Sequence, residues 1–214
     1  NKKMIMKKII LAIALFTTFG LNAQTKYESA MQNGFSKMKE SKTADDMSAV
    51  ASFFERVGDA EKTQWLPYYY AARNYTIAAF MNPAADKDKA AEKVKDLIAK
   101  AEAIENANAE IFCLKQQVAV MQLVVDPMSR WQSYGAVAAE AIAKAKAIEP
   151  NNPRPYLLEG QYLMNVPEAF GGGKAIAKKL FEKSVELFGN YKPASQLHPS
   201  WGKEQAEQLL AACQ

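Results

Sequence analysis

The chain is poor in the side chains that most often carry chemistry, with one histidine, His198, and two cysteines, Cys113 and Cys213, in 214 residues. A histidine triad needs its imidazole between a nucleophile and an orienting acid, and His198, held between Leu197 and Pro199 in a loop, has neither at a recognisable spacing. So few imidazoles and thiols also argue against a transition-metal centre. Cys113 and Cys213 lie about 100 residues apart, which is no disulfide framework, and each falls on an apolar helical face, where cysteine serves as a small buried hydrophobe. Gly171, Gly172 and Gly173 precede a helix but have no strand before them and no phosphate-loop spacing after them, so they read as a tight connector rather than an anion cradle. The expectation is a protein that is not an enzyme, with no catalytic residues, no metal and no cofactor.

Long apolar runs are scarce as well. Lys7 and Lys8 precede an apolar stretch from Ile9 to Phe16 that continues less strictly to Leu21, and Ala23 then offers a small residue before Gln24. That order is a secretory signal over residues 1–23, and the stretch is shorter than the roughly 20 residues a membrane span needs. Cleavage after Ala23 leaves a chain without a stable membrane span, periplasmic or secreted. Leu21 stands where a small residue is usual, so retention as an anchor is the alternative. No cysteine follows the apolar run to take a lipid. Lys2, Lys3, Lys7 and Lys8 belong to the leader, and no acidic residue does. Without it, 23 basic groups face 23 acidic ones, so the basic pI of about 8.9 resides in the leader and nucleic-acid binding is excluded.

What the chain has in plenty is alanine-rich amphipathic helix. Tyr27, Ala30, Met31, Phe35 and Met38 mark one helical face, and Met47, Val50, Ala51, Phe54 and Val57 a second. Trp65 to Met81 carries Tyr68, Tyr69, Tyr70, Tyr75 and Phe80 around more than one face, which predicts a helix with neighbours on both sides. Ala90 to Ile104 follows, then Ala109 to Val125, a loop around Trp131, and the stretch from Ala136 to Leu163. There two helices are separated by Pro150, Asn151, Asn152 and Pro153.

Aligned on one another, these segments repeat. Tyr68, Phe112 and Tyr156 are 44 residues apart, as are Phe54, Ile98 and Ile142, while Phe181 follows 39 residues after Ile142. Ala138, Ile142, Ala145 and Pro150 keep the spacing of the second half of a tetratricopeptide repeat, and Tyr156, Gly160 and Leu163 that of the next repeat's first half. In these residues the chain resembles the tetratricopeptide-repeat family, in its exported bacterial form. The period exceeds the usual 34 by about ten residues, placed between the helices of each pair, and Gln116 stands where glycine or alanine is expected. A related helical-repeat family is the alternative. Pro167 to Phe188 also looks like the corresponding segment of exported tetratricopeptide-type proteins, including the T component of tripartite transporters.

The resemblance implies an all-α fold over residues 24–214: an α-solenoid of about four helical hairpins in a right-handed superhelix, closed by a C-terminal capping helix. Ala206, Leu209, Leu210 and Cys213 form that cap's inner face. Such a stack binds through the groove lined by its first helices. Arg73, Gln117 and Gln161 form one row there, with Tyr69, Asn74 and Tyr162 beside them, and amide and guanidinium groups in a row suit a peptide backbone or a terminal carboxylate. The expected function is a non-enzymatic scaffold that binds a peptide or protein partner in its concave groove. The alternative is an accessory subunit handling a small solute for a periplasmic transporter.

Overall fold

The computed structural model describes residues 26–213, so the signal-peptide reading of residues 1–23 lies outside the described residues. Among the described residues the protein is all-helical and has no strand. The helices are α1 (residues 26–40), α2 (Ala44–Glu61), α3 (Trp65–Met81), α4 (Lys87–Glu102), α5 (Ala109–Leu123), α6 (Pro127–Ile148), α7 (Pro153–Met164), α8 (Lys174–Asn190) and α9 (Lys203–Ala211). A short 3-10 turn, Glu168–Phe170, precedes α8.

Local chemistry sets the helix starts. Thr43 and Asp46 form a capping box at α2, each side chain serving the other's backbone amide. Asp86, Asn108, Asp126 and Asn152 each accept from a backbone N–H of the first turn of α4, α5, α6 and α7. Pro127 and Pro153 follow two of these caps, where proline's missing N–H costs nothing. The cap at Asp126 corrects one expectation: Trp131 is not in a loop but in the second turn of α6, which runs 22 residues. The extra residues of that pair lengthen a helix, whereas those of the preceding pair make the turn at residues 82–86.

Each helix packs on its sequence neighbours, and the first helices of successive pairs also touch, α3 on α5 and α5 on α7. That arrangement buries α3 and α5 on most sides, as the aromatic distribution of α3 requires. The residues that the repeat equates are all buried, Phe54 of α2 and Ile98 of α4 in one apolar cluster, Ile142 of α6 and Phe181 of α8 each in another. Gly160 allows a close approach of α7 and α8, since a Cβ there would sit 2.6 Å from the Phe181 ring. Gly34 does the same for Phe54, at 2.4 Å.

The triple glycine is a connector whose amides are spent internally. Gly171, Gly172 and Gly173 donate to Glu168, Pro167 and Leu163 carbonyls, and a Cβ on Gly172 would lie 2.3 Å from the Val166 carbonyl oxygen. Gly171 and Gly173 take positive φ, 82° and 94°, which an L side chain resists. Beyond α8 the apolar face of α9, with Ala206 and Cys213 buried, packs against Phe181 and Phe188. Cys113 and Cys213 are both buried and unpaired.

Candidate functional site

The side-by-side first helices present one stripe each, at spacings of three and four residues: Tyr69, Arg73, Ile77 and Phe80 on α3; Cys113, Gln117, Val120 and Val124 on α5; Leu157, Gln161 and Met164 on α7. The N-terminal half of this face is closed by the chain itself. Residues 191–202, between α8 and α9, lie across it as a strap. Tyr70 donates its hydroxyl to the Leu197 carbonyl at 2.9 Å, and the Trp201 indole N–H donates to the Tyr69 hydroxyl at 2.8 Å. His198 packs edge-on against Trp65, with ring centroids 5.8 Å apart, while its Nδ1 is hydrogen-bonded to the Ser195 hydroxyl. Gly202 has a φ of 111°, and a Cβ there would press on Phe188 and Leu157.

Beneath the strap lies a buried ion pair. The Arg154 side chain is 0% exposed and donates Nε–H to Glu110 at 2.6 Å, with further hydrogen bonds to the Tyr191 hydroxyl at 2.6 Å and the Trp201 carbonyl at 3.4 Å. Glu110 also accepts from the Asn152 amide at 2.6 Å and the Tyr69 hydroxyl at 3.1 Å. Burial disfavours the Arg154 cation, but Glu110, with Tyr69 and Tyr191, outweighs it and holds the guanidinium above its ordinary value. Burial pushes the Tyr69 hydroxyl well up, and Glu110 adds to that shift. The pair ties the strap to α3, α5 and α7 at once.

The C-terminal half of the same face is open and apolar. Phe80 and Val124 occupy equivalent repeat positions and are 44% and 41% exposed; Met81 and Val125, the next equivalent pair, are also exposed. Ile77 and Val120 are half-buried between these residues and the polar row. Large apolar side chains exposed at matching positions on adjacent helices are informative where a lone exposed residue would not be. Met128, Trp131 and Phe170 are exposed nearby in sequence, at the start of α6 and before α8, and the Trp131 and Phe170 rings are 5.9 Å apart.

The six residues expected at the groove are distributed unevenly. Arg73, Gln117 and Gln161 fall on adjacent helices, each half-buried, and Arg73 meets the end of the strap. Arg73 stacks on the Trp201 indole at 4.2 Å, and its Nε is shielded from water without a hydrogen-bond partner. Tyr69 is buried under the strap. Asn74 is also buried, turned toward α1, its amide donating to the Tyr70 carbonyl and to Met38. Tyr162 is half-buried in the crease between α7 and α6, where Gly135 leaves room for its hydroxyl. Sequence reasoning missed Glu110 and Arg154. Their offset of 44 residues was a signal, since charge at both positions of a row that should be apolar asks for a pairing.

A separate cleft of about 380 Å³ lies between α4, α5 and α6, floored by Ile98, Ala99, Val118, Ala119 and Val137 and edged by Lys95, Lys115 and Tyr134. Lys115 is paired with Glu102 at 2.5 Å and Lys95 with Glu92 at 2.8 Å, so its rim charges are already neutralised. Among the described residues no cluster of His, Cys, Asp and Glu could hold a metal ion, and no helix is long and apolar enough to cross a membrane.

No family model matches the sequence, and no curated protein does. Among solved structures, the chain is similar to the HusA haemophore from Porphyromonas gingivalis, with a TM-score of 0.79 and 34% sequence identity over 87% of this chain and 92% of that one. Identity of that extent across nearly the whole of both chains, with the same helical fold, is shared descent rather than convergence of packing: the chain belongs to the family of the HusA haemophore.

Proposed function

We propose that this protein is a carrier of haem-type tetrapyrroles, holding the macrocycle against the open half of its first-helix face. The observation that carries this reading is the 34% identity to a haemophore over 92% of that chain. The geometry supports it independently. A tetrapyrrole is a flat apolar disc with acidic side chains on one edge, and it needs a broad apolar surface bordered by donors. Ile77, Phe80, Val120 and Val124 supply the surface, with Arg73, Gln117 and Gln161 at its border.

Binding in this reading rests on macrocycle contact rather than on histidine ligation. His198 lies against Trp65 at the other end of α3 from Phe80, about 22 Å away at a rise of 1.5 Å per residue, and its Nδ1 is engaged by Ser195. Metal-free porphyrin should therefore bind as well as haemin does. The four helix pairs are then turns of a tetratricopeptide-like right-handed superhelix over residues 24–214, with α9 as its cap. The leader at residues 1–23 directs it to the periplasm or beyond.

A tetrapyrrole carrier stands closer to the solute-handling alternative than to a peptide scaffold. A peptide or protein partner is the second reading, supported by the extended segment of the chain's own residues 191–202 that already lies on these helices. Absorbance titration with haemin separates the two. Replacing Phe80 and Val124 together by glutamate should weaken binding at least tenfold, since about 1–2 kcal/mol of apolar contact is lost at each position. Val137→Glu, in the separate cleft, should leave binding unchanged. Equal affinity of the Phe80/Val124 variant and the wild type would refute this site.

A further inference from the structure

Arg73 is the one charged groove residue, and among the described residues the fold gives its donors no acceptor. Arg154, the other arginine under Trp201, commits donors to Glu110, Tyr191 and the Trp201 carbonyl. Arg73 makes no ion pair or hydrogen bond among the described residues, although its Nε is fully shielded and its guanidinium lies 4.2 Å above the Trp201 ring. A shielded donor without an acceptor is destabilising, and contact with an indole offsets part of that cost while satisfying none of the N–H groups. Contact with the indole also restricts the guanidinium, so less side-chain freedom is lost when it takes up an acceptor.

The position is as informative as the lack of partners. Arg73 lies one helical turn before Ile77 and two before Phe80, on the border between the strap and the apolar half. Gln117 and Gln161 continue the row on α5 and α7, and neither side chain is hydrogen-bonded among the described residues. Resting on the tetrapyrrole reading, we infer that Arg73, held against Trp201 and followed in its row by Gln117, is a specificity-determining clamp for a carboxylate side chain of the bound macrocycle. A ligand lying on Ile77 and Phe80 with its acidic edge toward the strap brings a carboxylate to a forked, partly desolvated donor, where a charge-assisted pair is strongest. The clamp selects free acids over neutral analogues of the same ring.

Haemin and its dimethyl ester, which share a ring and differ only in the two carboxylates, test this. Wild-type protein should bind the diacid about tenfold more tightly than the ester. Arg73→Gln should remove that preference by weakening the diacid while leaving the ester unchanged, and Arg73→Lys should keep part of it. Equal binding of diacid and ester by the wild type, or an Arg73→Gln variant that weakens both ligands alike, would overturn the inference and leave tetrapyrrole binding standing. Failure of the wild type to bind either would remove the functional reading and the clamp with it. The wild-type comparison needs no substitution, so misfolding of a variant cannot obscure the result.

Discussion

Replacing Glu110 by alanine should destabilise the protein severely, because it strands a cation that has no route to water. Arg154 is wholly inaccessible, and its one ion pair among the described residues is the 2.6 Å bond to Glu110. Breaking a buried pair by removing one partner costs about 3–5 kcal/mol, most of it the desolvation of the survivor. The Asn152 amide and the Tyr69 hydroxyl lose their acceptor in the same step. At about 2–4 °C per kcal/mol for a chain of this size, the melting temperature should fall by about 6–20 °C. Urea denaturation followed by circular dichroism measures the loss directly. Because Arg154 also anchors Tyr191 and the Trp201 carbonyl, limited proteolysis should begin in residues 191–202 before global unfolding. Substituting both members together, Glu110→Leu with Arg154→Met, should recover much of the loss, since no charge is then left buried. A single variant that loses less than about 1 kcal/mol would refute the reasoning, for the pair would then be hydrated or replaceable.

Three further outcomes follow from the packing. Gly160→Ala should cost about 1–3 kcal/mol by denaturant titration, since its Cβ would meet the Phe181 ring at 2.6 Å; neutrality would mean the α7–α8 contact is looser than described. Gly189→Ala, near the end of α8 with nothing within 4 Å of the added carbon, should be neutral or gain up to about 1 kcal/mol. Burial lowers the pKa of His198, against the opposing fields of Glu110 and Glu149, so on acidification the unfolded chain takes up its proton first. Stability should therefore fall as pH drops from the ordinary histidine value of 6.5 through the lower folded value. His198→Gln should lose less stability than the wild type between pH 7.5 and pH 5.5; identical losses would remove His198 from the account.

The repeat was legible in the sequence because its cause is local and periodic. A face that must stack on a copy of itself repeats its residues, which is why Phe54, Ile98, Ile142 and Phe181 can be equated from spacing alone. Trp131 was misplaced because proline and aspartate at positions 126–127 signal both a break and a helix start, and only the cap geometry distinguishes them. The strap was invisible for a different reason. Residues 191–202 carry two prolines and little periodicity, and what positions them is a set of contacts to α3 and α7 across as many as 132 residues. The 44-residue spacing aligns Arg73, Gln117 and Gln161 on successive first helices. The groove's division into a half closed by Trp201 and an open half lined by Phe80 and Val124 depends on where that strap ends, which no local pattern records.

The most direct test of the central claim is to map the haemin or metal-free porphyrin footprint on the intact chain by amide chemical-shift perturbation. The account predicts that the largest changes fall on the C-terminal halves of α3 and α5, at Ile77, Phe80, Val120 and Val124, with Arg73 at their border. A footprint centred on Ile98, Val118 and Val137, or spread over residues 191–202 with those positions silent, would contradict it.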